Sequence, residues 1–457
     1  MNFKKNILCI GAGYVGGPTM AVIAYKCPQF RVTIADINPA RIAEWNSDEL
    51  PLYEPGLDEI IRATRGKNLF FTTDIQRSIR DNDIIFVSVN TPTKMFGAGA
   101  GMAADLQYWE KTARQILQYS ESSKIVIEKS TLPVKTAQAM ENILRNAHSF
   151  TFEVLSNPEF LAEGTAIKDM ENPDRVLIGS RETASGLKAR EELVEIYANW
   201  IPREKIITSN IWSSELSKIV SNAFLAQRIS SINAISALCE KTDADINEVA
   251  RAVGMDSRIG GKYLNSSVGF GGSCFKKDIL NLVYLCRHYG LNEVADYWEG
   301  VVKINQYQQE RFTLNMLTAM FNTLADKKIC LFGVSFKANT SDTRESPAIF
   351  IAKKLLEEKA EIIITDPQAL RNARADLAGM EGRVSFIDDP YKAAAGCHAI
   401  AVMTEWDLYR DLDYQKIYDT MIKPVSLFDG RNIIDHRRCH NIGFNVYPIG
   451  KPALTHF

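Results

Sequence analysis

The stretch NILCIGAGYVGGPTMAVIAYK, residues 6–26, sets the fold of the first part of this chain. Its apolar start at 6–10 has the composition of a buried strand, the glycines that follow predict a tight turn, and the remainder has the pattern of a helix. A second apolar run, RVTIADI at 31–37, predicts the next strand. A strand, a helix and a second strand in this order form one βαβ unit of a parallel, doubly wound sheet.

The turn in this unit has the spacing of a dinucleotide-binding site. Gly11, Gly13 and Gly16 form GxGxxG directly after the first strand, and Asp36 ends the second strand about 20 residues later. Such glycines let a pyrophosphate approach a helix N-terminus, while the carboxylate accepts hydrogen bonds from the adenine ribose. The pattern favours NAD binding over a glycine-rich packing turn. Asp36 would repel the 2′-phosphate of NADP, a preference that Arg41 nearby weakens.

Strand and helix patterns along the rest of the chain predict a second α/β domain. Further strands are expected at 83–89, 124–130, 152–158 and 175–180, with helical patterns between most of them. From about Ser213, a helical stretch without Gly or Pro predicts a long connecting or dimer-forming helix. From Lys327 the first pattern returns weakly. We therefore expect two Rossmann-like doubly wound domains joined by a long central helix and helical region, with boundaries at 1–212, 213–325 and 326–457.

The glycine turn of the second domain differs from that of the first and predicts a different ligand. Only Gly333 remains of the glycine signature, and the loop instead offers Lys337 and Arg344. A phosphate there would meet side-chain cations rather than bare backbone, which suits a nucleotide diphosphate held for its substrate group. Two solvated surface charges are an equally good interpretation of the sequence.

Composition limits the classes of partner. The chain has 457 residues and a formal net charge of −2, so no global field would attract nucleic acid or an acidic membrane. The N-terminus runs straight into a strand, and no apolar stretch is long enough to span a bilayer. The eight cysteines are scattered without metal-site spacing. They predict buried, reduced thiols, no metal site and a cytoplasmic protein.

Cys274, in GFGGSCFKKD at 269–278, is the exception among the cysteines. It follows a glycine loop at an expected helix start, where backbone N–H groups, the helix dipole, Lys276 and Lys277 favour a thiolate. Lys277 and Asp278, three and four residues further on, can reach the same site. A thiolate beside a nicotinamide can attack an aldehyde to give a thiohemiacetal, whose oxidation gives a thioester and then an acid. The residue predicts a four-electron oxidation of an alcohol to a carboxylate, the alternative being a structural thiol in a tight loop.

Two further pairs have the spacing of catalytic groups. Lys218 and Asn222 are one helical turn apart in an otherwise apolar stretch, where a desolvated lysine would suit proton transfer or oxyanion stabilisation. A lysine that reaches the surface is the alternative. Glu159 and Glu163 would bind substrate or activate water, or would occupy the acidic first turn of a helix.

Together these stretches resemble the nucleotide-sugar 6-dehydrogenases of the UDP-glucose/GDP-mannose dehydrogenase family, and within it the animal-type members that use UDP-glucose. The resemblance covers essentially the whole chain and is carried by GAGYVGGPT, YEPGL, VNTPTK, EKSTLPV, NPEFLAEGTAIKD, NPDRVLIG, ELSKIVSNAFLAQRISSINAISALCE, SVGFGGSCFKKD and GVSFKANTSDTRESP. It implies an NAD domain, a central helical region and a UDP-sugar domain. It also implies NAD-dependent oxidation of UDP-glucose at C6 to UDP-glucuronate, through a cysteine thiohemiacetal and thioester, with release of two NADH.

The resemblance also implies roles for residues at matching positions. The expected catalytic residues are Cys274 as nucleophile, Lys218 and its partner Asn222, Asp278, Glu159 and Thr131. The expected NAD contacts are Gly11, Ala12, Gly13, Tyr14, Val15, Gly16, Asp36, Arg41, Val89, Asn90, Thr91, Ser130, Glu163, Lys277 and Arg344. The expected substrate contacts are Glu159, Phe160, Leu161, Glu163, Lys218, Asn222, Arg258, Tyr263, Phe270, Gly271, Phe275, Phe336, Lys337 and Arg431.

Two positions bear on assembly and on substrate contacts. Arg258 matches an arginine that family members extend across a subunit interface, which implies a homo-oligomer of at least two copies and leaves a hexamer open. Asn265 stands where a lysine is usual, so one substrate contact is left open.

Two other functions are compatible with the residues alone. The same chemistry on GDP-mannose or a UDP-N-acetylhexosamine is one, since few residues identify the sugar. A non-catalytic regulator that binds NAD or a UDP-sugar is the other, although an intact set of candidate catalytic residues argues against it.

Overall fold

The computed structural model describes residues 3–147, 149–380 and 382–456. The chain divides into two compact units. Unit 1 comprises Met1–Ser221 and Leu280–Gly290, and unit 2 comprises Asn222–Ile279 and Leu291–Phe457.

Unit 1 is built on an eight-stranded sheet. Its strands are β1 (Lys5–Ile10), β2 (Phe30–Ala35), β3 (Leu69–Thr72), β4 (Ile84–Val87), β5 (Lys124–Glu128), β6 (Phe152–Ser156), β7 (Val176–Ser180) and β8 (Ile206–Asn210). Their order is β3-β2-β1-β4-β5-β6-β7-β8, and all neighbours are parallel except β6 and β7. The predicted parallel, doubly wound sheet is confirmed, with the correction that β7 and β8 run against the other strands.

Helices connect and cover these strands. Those wholly in unit 1 are α1 (Gly16–Lys26), α2 (Pro39–Trp45), α3 (Leu57–Thr64), α4 (Ile75–Asp81), α5 (Gln107–Tyr119), α6 (Thr136–Leu144), α7 (Ala166–Glu171) and α8 (Ala184–Tyr197), with a 3-10 turn at Arg203–Lys205. The predicted long helix is α9 (Ile211–Cys239), which begins in unit 1 and continues in unit 2. The connection from β6 to β7 contains only the six-residue α7, much shorter than the usual helix of a parallel crossover.

Trp45 packs against the loop between β1 and α1 and holds it in place. Its indole Nε1 donates to the carbonyl oxygen of Ala12 at 3.0 Å, and its ring stacks on Phe71 with centroids 5.2 Å apart. A Cβ on Gly17 would stand 2.3 Å from the Trp45 ring. The loop is therefore held by close packing at its base, which leaves its outer backbone for a ligand.

Unit 2 contains a six-stranded parallel sheet. Its strands are β9 (Lys328–Phe332), β10 (Glu361–Thr365), β11 (Val384–Phe386), β12 (Ala399–Val402), β13 (Ser426–Asp429) and β14 (Asn445–Pro448), in the order β11-β10-β9-β12-β13-β14. When the strands of each unit are numbered from its own first strand, this order is the same as that of the first six strands of unit 1, β3-β2-β1-β4-β5-β6. The weak sequence repeat therefore corresponds to a repeated Rossmann-type topology.

The repeat extends to the turn after the first strand. In unit 2 the backbone N–H of Val334 donates to Asp366 at 2.8 Å, as that of Ala12 donates to Asp36 at 2.9 Å in unit 1. Gly333 has a φ of +93° and is packed against Thr404, where a Cβ would lie 2.3 Å from the side chain. A glycine is required at this turn in both sheets.

The helices of unit 2 fall into a central group and a group around the sheet. The central ones are α10 (Ile246–Gly254), α11 (Phe275–His288), which ends in unit 1, and α12 (Asn292–Ala319). Those around the sheet are α13 (Pro347–Glu357), α14 (Leu370–Asp376), α15 (Pro390–Ala394), α16 (Asp407–Arg410), α17 (Tyr414–Thr420) and α18 (His436–Ile442).

Four strands, β3, β8, β11 and β14, were not predicted from the sequence. Each is the outermost strand at an edge of its sheet, where the pattern of apolar residues is a weaker signal than in a central strand. No helix among the described residues is long and apolar enough to cross a membrane.

Candidate active site

The glycine turn of unit 1 has the shape that a dinucleotide needs. Gly11 has a φ of +110°, and a Cβ there would lie 2.3 Å from the carbonyl oxygen of Ser88. A Cβ on Gly16 would lie 2.2 Å from the Gly11 oxygen, whereas nothing lies within 4 Å of a Cβ on Gly13. Two glycines thus permit tight packing, and the third leaves open space at the N-terminus of α1, where a pyrophosphate fits.

Asp36 stabilises this turn. Its Oδ2 accepts from the backbone N–H of Ala12 and its Oδ1 from that of Asn38, both at 2.9 Å. Each oxygen retains a lone pair for a ribose hydroxyl. Arg41 is exposed on α2, one turn further. Of the remaining residues expected in the turn, Tyr14 and Val15 are half-buried.

Loops at the carboxyl ends of β4 and β5 bring together the next group of expected NAD contacts. The Ser130 hydroxyl donates to the Val89 carbonyl at 2.7 Å, and the Thr91 hydroxyl donates to the Thr131 carbonyl at 3.2 Å. Asn90 is exposed between them. Because the carboxyl ends of adjacent parallel strands meet at one edge of a sheet, these residues lie beside one another.

Glu159 and Glu163 lie in the loop between β6 and α7. The alternative that they form the acidic first turn of a helix is wrong, since α7 begins only at Ala166. One carboxylate oxygen of Glu159 accepts from the N–H groups of Phe160, at 2.8 Å, and Leu161, at 3.1 Å. Glu159 therefore fixes the backbone of the two residues that follow it, both expected substrate contacts.

Lys129 is a functional candidate that the sequence reasoning did not single out. Its buried ammonium lies 2.7 Å from Glu159 Oε2, and 3.1 Å from Oδ1 of Asn157. Burial opposes ionisation of Glu159, but the charge and hydrogen bond of Lys129 hold the pKa of the carboxyl below its ordinary value. The available signal was a lysine directly after β5, within the EKST stretch, at a position that should be buried.

Lys218 is buried on α9, as the sequence suggested. It is 8% exposed, and its Nζ lies 5.5 Å from the centroid of the Phe160 ring. The guanidinium of Arg175 lies against the same ring at 3.9 Å. The alternative of a lysine that reaches the solvent is therefore wrong. Its charge also favours the ionised form of Glu159.

In unit 2, Cys274 lies immediately before α11 and is exposed, while the other seven cysteines, all within the described part of the chain, are buried. Its carbonyl accepts from the N–H of Asp278 at 2.9 Å, so Cys274 is the N-cap residue of the helix. Nδ2 of Asn222 donates to Oδ2 of Asp278 at 2.6 Å, and both side chains are buried. Nζ of Lys277 lies 4.0 Å from Oδ1 of Asp278.

The loop before Cys274 packs on the glycine turn of the second sheet. The N–H of Gly272 donates to the Arg344 carbonyl at 2.9 Å, and a Cβ on Gly271 would stand 2.9 Å from that of Phe336. Arg431 donates to the carbonyl of Phe336 at 3.0 Å.

The rings of Phe270 and Phe275 contact each other edge to face. Lys337 is half-buried, with Nζ 5.6 Å from the Phe336 ring. The structure thus gathers most of the substrate contacts expected in unit 2.

Arg258 and Tyr263, two further expected contacts in unit 2, lie in an exposed segment. The side chain of Arg258 is 87% exposed and pairs with Asp256 at 2.6 Å. Tyr263 has a φ of +62° and is exposed. Arg228 of α9 donates to three carbonyl oxygens of this segment, those of Ile259, Gly260 and Lys262. The segment therefore presents Arg258 outward from an anchored backbone.

The nucleotide turn, the aspartate that follows β2 and the surrounding loops define a dinucleotide-binding protein of Rossmann fold. Residues 5–201, 212–307 and 330–436 match, in turn, the NAD binding domain, the central domain and the UDP binding domain of the UDP-glucose/GDP-mannose dehydrogenase family. The chain belongs to this family, and its cofactor is NAD.

Individual relatives agree with this assignment. The chain is 58% identical to UDP-glucose 6-dehydrogenase 4 of Arabidopsis thaliana over 465 aligned residues, which cover 98% of this chain and 97% of the relative. It is 57% identical to UDP-glucose 6-dehydrogenase of Caenorhabditis elegans, over 98% of this chain and 95% of the relative. Plant and animal relatives are thus about equally similar. A solved UDP-glucose dehydrogenase from Pyrobaculum islandicum superposes with a TM-score of 0.86 at 29% identity, over 99% of each chain.

Proposed function

We propose that this protein oxidises UDP-glucose at C6 to UDP-glucuronate and uses two NAD for each sugar. The names of its relatives support the substrate, and the family's UDP binding domain supports the nucleotide. The observation that carries the four-electron chemistry is Cys274, an exposed thiol at a helix N-terminus among cysteines that are otherwise buried.

The first oxidation needs a base for the C6 hydroxyl proton, and bound NAD supplies the hydride acceptor. We assign the proton transfer and the stabilisation of the oxyanion to Lys218, whose burial increases the strength of its electrostatic interactions. Asp278 orients water or acts with Lys218 as base. Asn222 fixes the carboxylate through their 2.6 Å hydrogen bond.

The second oxidation needs a tetrahedral carbon at C6, because an aldehyde does not readily give up a second hydride. Attack by the Cys274 thiolate forms this centre as a thiohemiacetal, and its oxidation gives a thioester. We assign hydrolysis of the thioester to water with Glu159 as proton acceptor, and assign to the Thr131 hydroxyl a role near the nicotinamide and an ordered water.

Recognition of the UDP group falls to unit 2 in this proposal. Lys337, Arg344 and Arg431 around the second glycine turn provide the cations for a diphosphate. Arg344 and Lys277 also remain candidates for NAD contacts. The three-segment division at residues 212 and 325 belongs to the same proposal, in which the first segment binds NAD, the second mediates assembly and the third binds the UDP-sugar.

We also propose that the active form is a homo-oligomer of at least two copies. In unit 2, Phe224, Ile235 and Leu238 share one face of α9 and are exposed, as are Tyr307 and Leu314 on α12. An apolar surface of this kind is typical of an interface between subunits.

A cytoplasmic location is supported by eight free thiols.

Turnover of UDP-glucose with NAD tests the proposed function. Absorbance of NADH should show two NADH per UDP-glucose, with UDP-glucuronate as product. GDP-mannose and UDP-N-acetylhexosamines serve as comparison substrates, and kcat/KM for UDP-glucose should exceed theirs. Binding of both ligands without NADH formation would instead identify a regulator.

A further inference from the structure

We infer that Lys129 is a positioning residue for the proposed hydrolysis of the thioester, and that it acts by keeping Glu159 ionised and correctly oriented. The inference rests on the proposed function and adds a residue to it. Lys129, Glu159 and the residues that hydrogen-bond to them all belong to unit 1.

Lys129 is held in a closed network of hydrogen bonds. The residue is 3% exposed, and its Nζ lies 2.7 Å from Glu159 Oε2, 3.1 Å from Asn157 Oδ1 and 3.4 Å from the Tyr197 hydroxyl. The Tyr197 hydroxyl donates to Asn157 Oδ1 at 2.7 Å, and the amide of Asn157 donates to the Leu177 carbonyl at 2.8 Å. A buried lysine held by three partners restricts the position of the Glu159 carboxylate.

The network leaves one oxygen of Glu159 able to take a proton. Oε1 is occupied by the N–H groups of Phe160 and Leu161. Oε2 receives Lys129 and only a long contact of 3.4 Å from the Thr19 hydroxyl, which is beyond the usual range for an O–H donor. A cavity of about 30 Å³ lies beside these groups and is lined by Lys129, Glu159 and Tyr197. It is large enough for one water.

Charged and titratable groups around Glu159 come from several neighbouring elements. These are Lys129 after β5, Tyr197 on α8, Lys218 on α9, Asp169 on α7 and Arg175 before β7. Lys129 makes the largest contribution among the cations, and Lys218 a smaller one. The Lys129 charge is therefore the main cause that offsets the effect of burial on Glu159.

The reaction step explains why ionisation matters. Water adds to the thioester carbonyl carbon, one of its protons passes to the Glu159 carboxylate, and the C–S bond breaks with its electron pair going to sulfur. The products are the carboxylic acid of the sugar, the Cys274 thiolate and protonated Glu159, and no electrons are exchanged. A protonated Glu159 cannot accept this proton, so the step needs the form that Lys129 stabilises.

Substitution of Lys129 should change the pH profile rather than substrate binding. In Lys129→Met, the acid limb of the pH profile of kcat for UDP-glucuronate formation should shift to higher pH by about 1–3 units. This is the range expected when a neighbouring opposite charge is lost. The mass of the Cys274 peptide should then reveal accumulated acyl-enzyme at pH 6–7. Lys129→Arg keeps the charge and should restore the wild-type limb. If Lys129→Met does not fold, Lys129→Gln takes its place.

A double-mutant cycle separates this role from a merely structural one. In a Glu159→Gln background, Lys129→Met should change kcat by less than about twofold, because its target has gone. Equal losses in both backgrounds, or an unshifted acid limb in folded Lys129→Met, would overturn the inference. Wild-type protein that forms no UDP-glucuronate would instead defeat the proposed function, so the two failures are distinguishable.

Discussion

At the scale of single residues, the surroundings of Cys274 differ from those of every other cysteine of the chain. Burial raises the pKa of Cys9, Cys27 and Cys439 to about 12, so these thiols stay protonated and unreactive. Cys274 is exposed at the N-cap of α11, and the ammonium groups of Lys276 and Lys277 follow within one turn. Only this thiol is both accessible and directly at a helix N-terminus.

Replacement of Cys274 should abolish the second oxidation and spare the first. Cys274→Ala removes the nucleophile and keeps the groups assigned to proton transfer, so steady-state production of UDP-glucuronate should fall by on the order of 10³-fold or more. The variant should still reduce UDP-glucose-6-aldehyde with NADH, the reverse of the first step. Both reactions are measured by NADH absorbance.

Cys286→Ala is the matched control, since Cys286 is a buried thiol on the same helix. Once folded it should produce two NADH per sugar. A folded Cys274→Ala protein that makes UDP-glucuronate at nearly the wild-type rate would refute covalent catalysis and leave the thiol a structural role.

The carboxylate of Asp36 should determine the choice of cofactor. It directly follows β2 and lies beside the nucleotide turn, where its charge repels the 2′-phosphate of NADP. We expect a higher kcat/KM with NAD than with NADP, and a smaller ratio in Asp36→Asn, which removes the charge at constant size. Steady-state kinetics with both cofactors provide the measurement. Equal values for the wild-type protein would contradict this role.

At the scale of secondary-structure elements, a buried carboxyl pair connects α9 to the rest of unit 1. Glu215 of α9 accepts from the N–H groups of Lys135 and Ala137, both at 2.8 Å, and so caps α6. Neither side-chain oxygen of Glu128, at the end of β5, receives a hydrogen bond from a donor in the described residues. Burial and the neighbouring carboxyl of Glu215 raise the pKa of Glu128, so we expect one of the two groups to carry a proton that the pair shares.

This pair should make unit 1 less stable as the pH rises. Burial raises the pKa of Glu215 to about 7, and burial and the charge of Glu215 raise that of Glu128 well above its ordinary value. The unfolded chain loses these protons near pH 4.5, so the stabilisation is complete below that pH and is lost as the pH rises through 7. Each proton contributes at most ~1.4 kcal/mol per pH unit.

Thermal unfolding between pH 5 and 8 measures this effect. Wild-type Tm should fall by about 2–4 °C for each kcal/mol lost, and Glu128→Gln, a neutral amide that can donate to Glu215, should flatten the slope. Of the other nearby charges, Glu141 also raises the pKa of Glu128, and Arg181 lowers the pKa of Glu215. Glu110→Gln, at an exposed pair with Arg114, is the control. A wild-type Tm that rises across this range would contradict a shared proton.

At the scale of the whole molecule, the prediction concerns assembly. If Arg258 completes the site of a neighbouring subunit, a mixture of Arg258→Ala and Cys274→Ala proteins should regain activity through hybrid oligomers, up to about a quarter of the wild-type rate for randomly mixed dimers. NADH formation after verified subunit exchange is the measurement. Arg251→Ala, at another exposed arginine, should be active alone. Mixtures that stay inactive would limit Arg258 to its own subunit.

Local rules of sequence were sufficient to predict both nucleotide turns and the long helix. These rules are glycines where φ is positive, an apolar run of strand length, and a helical stretch without Gly or Pro. The positions of Gly11, Asp36, Gly333 and Cys274 followed from such rules, and the family followed from the motifs around them.

Which distant residues meet became known only from the folded chain. The reversed direction of β7, the edge strands and the pairing of Lys129 with Glu159 depend on contacts between segments far apart in the chain, for which a single sequence has no periodic signal. The shared proton of Glu128 and Glu215 has the same origin. Two carboxyls that are 87 positions apart in the sequence look like ordinary surface acids until folding removes both from water, because the energy of a charge depends on its surroundings and not on its neighbours in the chain.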